Sequence, residues 1–338
     1  GYGTEEQARI EAQYHRLNFL GGGREAGVRA RWSSLDRGVQ LDFTQPYLFE
    51  PHTSLHVVGQ QWYSYTPAYN STTTGVTTGA TYRLRQNTTA SLSVTSEYDT
   101  SSIAPSVQNN AQLRNNLIAL GLNPDTNEQR GQLNSIKIEG HHSTADNILN
   151  PHSGYQLTLA FEQAGQLLPG TFKFTQVTGE ARHYLPFGTR VVWANRAQFG
   201  NLAAATSDPA TVPFSRKFFL GGANSIRGWG IYEVSPLADG LPVGGNSMFL
   251  FSSEARAIIH GNFGAVAFLD TGNVWANSWA VNLGDLRYAV GSGLRYTTPV
   301  GPLRIDFGYQ LNPIPGLLVN GSPQTRRWRV HFSIGQAF

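Results

Sequence analysis

The chain has 338 residues, 40% hydrophobic and only 14% charged, with a formal net charge of +3 and no cysteine. A soluble domain carries about 25% charged residues, yet the mean hydropathy of −0.28 is that of a polar protein, and no apolar run nears the ~18 residues of a spanning helix. The absence of cysteine excludes thiol catalysis, thiolate metal sites and disulfide frameworks, and the sparse, mostly Arg-borne positive charge forms no run dense enough to bind nucleic acid.

Alternation with a period of two runs the length of the chain, the pattern of strands with unlike faces. Ala8, Ile10, Ala12 and Tyr14 oppose Arg9, Glu11, Gln13 and His15, and Val39, Leu41 and Phe43 oppose Gln40, Asp42 and Thr44. Further on, Phe249, Phe251, Ala255, Ala257 and Ile259 oppose Ser252, Glu254 and Arg256. Leu303, Ile305, Phe307, Tyr309 and Leu311 oppose Arg304, Asp306, Gly308, Gln310 and Asn312. At the end, Trp328, Val330, Phe332, Ile334 and Phe338 fall on one parity, against Arg327, Arg329, His331, Ser333 and Gly335 on the other. The pattern predicts fifteen strands, over 6–18, 24–32, 38–49, 53–65, 73–85, 88–100, 131–143, 154–163, 171–184, 189–202, 245–260, 263–274, 286–298, 302–312 and 325–338.

Two long connections interrupt them. Residues 101–130 are polar and Asn-rich, with the pattern of a short helix near 113–120, and residues 203–244 are rich in Gly and Pro. A connection of that length in a compact β protein is functional or disordered.

Parity decides the fold class. A soluble sandwich turns its apolar stripes inward, and fifteen such strands would need a core thicker than two sheets supply. A membrane barrel turns those stripes to lipid and fills its lumen with the polar ones. The chain therefore reads as an all-β, transmembrane antiparallel β-barrel. Even strand numbers are usual, so sixteen strands are expected, with the first nearly absent from this chain, Gly1–Thr4 as its tail, and sequence upstream of Gly1. No second domain is expected within residues 1–338.

The second long connection contains Phe218-Phe219-Leu220-Gly221-Gly222-Ala223-Asn224-Ser225-Ile226-Arg227-Gly228-Trp229. A surface loop with an incidental Arg is the plain reading. So many large apolar groups around one Arg favour a loop folded into the lumen, where glycines permit close approach and Arg227 meets carboxylates. Glu254 and Asp270 lie on lumen-facing parity in the next two strands, and an Arg between them would tether the loop. Other candidates are weaker. His141-His142-Ser143 and His152-Ser153 are adjacent residues, which point to opposite faces of a strand and cannot form a hydrolase dyad. Residues 146–154 read as turn chemistry, and lumen polarity accounts for the histidines without a metal. Trp62, Tyr63, Tyr65, Trp275 and Trp279 suit an interfacial girdle better than sugar platforms. No P-loop is present; no cofactor or covalent chemistry is expected.

Ile226-Arg227-Gly228-Trp229 resembles the Arg-Gly-aromatic signature of the BamA/TamA superfamily of outer-membrane barrels, also called the bacterial surface antigen family. Phe268-Leu269-Asp270-Thr271-Gly272 is similar to that family's Phe-x-Asp-x-Gly strand motif. Residues 293–304 resemble its penultimate hairpin, Phe332-Ser333-Ile334-Gly335-Gln336-Ala337-Phe338 its terminal strand, and Gly1-Tyr2-Gly3-Thr4-Glu5 the end of its first strand. The resemblance implies a sixteen-stranded barrel in the bacterial outer membrane, with POTRA domains upstream and a seam between first and last strands. Client barrels would fold through that seam. It implies pairing of Arg227 with Asp270 and Glu254, a kink in the last strand at Gly335, and Phe338 as the terminal aromatic read by assembly machinery. Its implied partners are unfolded outer-membrane clients, outer-membrane lipid, periplasmic chaperones and accessory lipoproteins. A translocation pore of the same superfamily and a passive diffusion porin are the alternatives.

Overall fold

A computed structural model describes residues 2–3, 7–298, 301–334 and 337–338. One antiparallel sheet of fifteen strands dominates it, each strand paired with its neighbours in sequence. In chain order these are β1 (Ile10–Arg16), β2 (Glu25–Trp32), β3 (Asp36–Gln45), β4 (Thr53–Tyr65), β5 (Tyr69–Arg85), β6 (Thr88–Ile103), β7 (Glu128–Ser143) and β8 (Gly154–Ala164). There follow β9 (Phe174–Phe187), β10 (Val191–Ala204), β11 (Ser247–His260), β12 (Phe263–Trp275), β13 (Arg287–Tyr296), β14 (Leu303–Gln310) and β15 (Trp328–Ile334). All fifteen expected strands are present.

Burial follows the expected parity and inverts that of a soluble protein. In β14, Ile305, Phe307 and Tyr309 are exposed while Arg304, Asp306 and Gln310 are buried. In β11 and β12, Ser252, Glu254 and Asp270 are buried while Leu269 on the opposite face is exposed. Charged groups remain inside because they satisfy one another, and apolar groups outside because their solvent is lipid.

Tight turns at 86–87, 188–190 and 261–262 mark one end of the wall, and long loops at 104–127, 205–246, 276–286 and 311–327 the other. In an outer-membrane barrel the short-turn end is periplasmic. Residues 205–246 fold into the barrel. A helix, α1 (Ala111–Ala119), packs over the loop: its Leu113 and Leu117 are buried with Tyr69, Ile103, Phe214 and Leu241. Asn110 caps it, its Oδ1 accepting from Leu113 N at 2.9 Å.

The start of the chain carries two strand residues where a nearly absent first strand was expected, and the end of the chain departs from the sequence reading. Tyr2–Gly3 pair with Gln7–Ala8 in a two-residue ladder, with Cα atoms within 8 Å of those of β15. Among the described residues no sixteenth strand is present, and no ladder joins β1 to β15. The last strand was expected to run over 325–338 with Phe338 on the outward parity. Instead β15 ends at Ile334, and Phe338 is buried with Tyr184, Val192 and Ala194 on the inner wall. There Arg256 Nη2 donates to Phe338 O at 3.1 Å. The last ladder pair among the described residues is Leu303↔Ile334. Gly335 lies outside the described residues. Trp328, Val330 and Phe332 face outward as expected.

Candidate functional site

The luminal loop is fixed to the wall at several separate places. The tightest centres on Arg227, which is 1% exposed. Its Nε donates to Asp270 Oδ2 at 2.8 Å and its Nη2 to Asp270 Oδ1 at 2.9 Å, a bidentate pair. Its main-chain N–H also donates to Asp270 Oδ2, at 3.0 Å. Nη1 donates to Glu254 Oε2 at 2.6 Å and lies 3.6 Å from Asp306. The guanidinium carbon stands 3.4 Å from the centroid of the Phe268 ring. Burial opposes the charge, but Asp270, Glu254 and Asp306 overcome it and hold the guanidinium protonated well above its ordinary range.

This geometry explains the spacing Phe268-x-Asp270-x-Gly272. Alternation places all three on the lumen face of β12. Phe268 carries the cation on its ring, Asp270 grips it, and Gly272 leaves room. A Cβ at Gly272 would sit 2.4 Å from Phe249 O and 3.2 Å from the Leu220 side chain of the loop. Ile226 and Trp229 flank Arg227 and are fully buried with Leu220, Val234, Leu250, Val274, Ala289 and Leu317.

Gly228 lies directly on the wall, at φ +98°, and a Cβ there would meet the Gly308 backbone at 3.3 Å. A Cβ at Gly308 would come within 2.6 Å of Gly228 N. Only two glycines allow this backbone crossing. Around it, Gln310 Nε2 donates to Gly228 O at 2.7 Å, and Gly228 N donates to His331 Nε2 at 3.1 Å. Glu233 closes the same region, accepting from Gly230 N at 2.7 Å and pairing with Arg329 of β15.

Sequence reasoning missed a second anchor on the opposite wall. Arg216 Nη2 contacts Glu97 Oε1 at 2.6 Å and Glu162 Oε1 at 3.6 Å. Ser215 Oγ donates to Asp99 Oδ2 at 2.6 Å. Gln129 accepts from Phe214 N at 2.9 Å and donates to Val212 O at 3.0 Å. Arg196 of β10 adds a bond to Asn224 O at 2.8 Å. The sequence did carry a signal: Glu97, Asp99 and Glu162 are three lumen-parity carboxylates.

The loop thus crosses the lumen between β6–β8 and β11–β15. The arrangement offers ion pairs and steric closure; among the described residues no three His, Asp or Glu side chains gather to hold a metal. His141 and His142 bond to different partners, Thr158 Oγ1 at 3.0 Å and Thr88 Oγ1 at 2.8 Å.

A barrel with charges within, lipid-facing strands without and a loop tethered by an Arg-Gly motif defines a class, and the comparisons agree. The profile of the Omp85 superfamily domain matches residues 18–338. The chain belongs to that superfamily, whose β-barrels reside in the bacterial outer membrane. It is 27% identical over 200 residues to an outer membrane protein assembly factor BamA from Nitratidesulfovibrio vulgaris, covering 58% of this chain and 24% of that relative. The crystal structure of BamA from Haemophilus ducreyi lacking POTRA domains 1–3 superposes with a TM-score of 0.81 at 19% identity, over 99% of this chain and 68% of that one. CdiB from Acinetobacter baumannii superposes with a TM-score of 0.61 at 13% identity, over 97% and 56%.

Proposed function

We propose that the protein is an outer-membrane protein assembly factor that inserts and folds client β-barrels through a lateral seam between its first and last strands, without covalent chemistry. The observation that carries this reading is a luminal loop braced to opposite walls in a barrel of the Omp85 superfamily. Among the described residues β1 and β15 are the two ends of the sheet, and the loop is anchored to β6–β8 on one side and to β11 and β12 on the other. An edge strand with unpaired N–H and C=O groups is ordinarily a liability. Here it templates a client strand by β-augmentation. Pairing before burial spares the client the cost of unsatisfied backbone groups in lipid.

On this reading Arg227, Glu254 and Asp270 brace the wall while the seam moves, Phe268 and Gly272 seat them, and residues 332–338 form the seam's far side and terminal signal. The partners are unfolded outer-membrane clients, delivered by periplasmic chaperones, with accessory lipoproteins alongside. Residues 1–338 form the barrel domain of a protein with POTRA domains upstream. The solved Haemophilus ducreyi BamA, whose chain lacks POTRA domains 1–3, supports this, as does the Nitratidesulfovibrio vulgaris relative, of which the matched residues cover 24%.

The test is reconstitution. Vesicles carrying the protein, restored to its upstream domains, are given a urea-unfolded client barrel. Accelerated appearance of protease-resistant, heat-modifiable client supports the reading. A client rate equal to that of empty vesicles, together with large stable conductance, points to a translocation pore or a diffusion porin.

A further inference from the structure

The periplasmic turns after β1 and β3 expose large apolar groups at positive-φ positions. At the tight turns of this rim the outward aromatic residues sit on the strands, Tyr82 before the 86–87 turn, Phe187 before 188–190 and Phe263 after 261–262, while the 144–153 connection exposes Ile148 and Leu149. In the β1–β2 and β3–β4 connections the large apolar groups sit in the turns themselves. Leu20 and Tyr47 are 77% and 67% exposed, and Phe49 is 99% exposed. All three hold positive φ, at +57°, +59° and +64°. Bulky side chains rarely adopt that backbone, and it costs about 1–2 kcal/mol per residue, so the turns pay conformationally to keep these groups outside. The two turns also touch: a Cβ at Gly23 would meet Pro46 Cγ at 3.4 Å, and Arg24 Nε donates to Gln45 Oε1 at 2.6 Å.

The geometry points to a membrane-inserted wedge: residues 17–23 and 46–52 dip Leu20, Tyr47 and Phe49 into the interfacial zone of the periplasmic leaflet beside β1. The occupant is lipid because the patch continues the surface that already faces lipid. Ile10, Tyr14, Val39 and Leu41 lead down the outer faces of β1 and β3 to these turns. Arg16, its guanidinium carbon 6.0 Å from the Phe19 ring, stands with Arg24 at the level of the phosphates. Amphipathic arginines and aromatic rings suit that boundary. An exposed apolar patch meeting water alone would be an aggregation hazard.

The chain has no cysteine, so single labels are unambiguous. Phe49→Cys and Leu20→Cys carry nitroxides in the full chain reconstituted in phosphatidylcholine–phosphatidylglycerol vesicles, with Asn87→Cys as the aqueous control and Ile305→Cys as the lipid control. Accessibility to oxygen and to a water-soluble nickel chelate is read by power saturation. The wedge predicts oxygen-rich, nickel-shielded labels at 49 and 20, at least threefold less nickel-accessible than the label at 87. Nickel accessibility equal to that at 87 overturns it. Shielding from both relaxers, which marks burial against protein, overturns it too and assigns the patch to another chain. Because the readout is depth alone, it stands or falls separately from client insertion.

Discussion

Removing Arg227 tests the luminal tether with the largest expected effect. In Arg227→Ala, Asp270 keeps only the main-chain N–H of residue 227, losing both side-chain bonds. Glu254 keeps Arg256 at 2.8 Å and Arg295 at 3.6 Å. The orphaned group is thus Asp270, at 0% exposure. Breaking a buried pair from one side costs about 3–5 kcal/mol, and the lost ring contact with Phe268 adds about 1 kcal/mol. Arg227→Lys recovers little, since an ammonium cannot span both Asp270 oxygens while reaching Glu254. Asp270→Ala alone leaves Arg227 held by Glu254 and Asp306 and is the milder loss. The double variant then costs less than the sum, with a coupling of about 2–3 kcal/mol. The assay is urea unfolding in detergent, followed by the shift between folded and unfolded bands in unheated gels. Client assembly is measured in parallel. Losses under about 1 kcal/mol for each single variant, adding without coupling, would refute the tether.

Other expectations follow from the same contacts. Gly308→Ala, whose Cβ would lie 2.6 Å from Gly228 N, destabilises more than Gly228→Ala, with losses of about 1–3 kcal/mol in the same assay; equal or negligible losses contradict the backbone crossing. Arg216→Ala removes the cation between Glu97 and Glu162, loosens the loop from β6–β8, where Ser215 and Gln129 still hold it, and raises single-channel conductance; unchanged conductance means this ion pair does not hold the loop in place. Lys217, which donates to Asn246 Oδ1 at 3.0 Å, is pushed down by burial from 10.5 to about 8. A lowered lysine value means that between pH 8 and 10.5 the unfolded chain holds a proton the folded one has shed. Stability therefore rises with pH across that window, by up to about 3 kcal/mol. Lys217→Met abolishes that rise relative to the parent; a persisting difference in slope of zero between the two proteins refutes it.

Much of this was legible because lipid-facing and lumen-facing residues alternate on an extended backbone. That rule placed all fifteen strands and put Glu254 and Asp270 on the lumen face, while Phe268 and Gly272 were legible only through the family's strand motif. It failed where strands leave the bilayer. β5 and β6 run on to Tyr69 and Ile103, because Tyr69 and Ile103 are buried under α1 and the loop in contacts that no period reveals. It failed at Phe338, where parity was extrapolated beyond the last described ladder pair. Arg216, Ser215 and Gln129 were invisible as an anchor because a loop of 205–246 has no periodicity to predict which wall it meets. Gly228 and Gly308 were each readable as glycines, but their crossing is a tertiary contact 80 residues apart in sequence.

The seam is tested most directly by closing it. Cysteines at Tyr2 and Ser333, in the protein with its upstream residues restored, place one thiol in the segment lying beside β15 and the other in β15. The account predicts that oxidation stops client insertion and reduction restores it, with Arg227 contacts unchanged. Cross-linked protein that inserts clients at the full rate would contradict lateral opening.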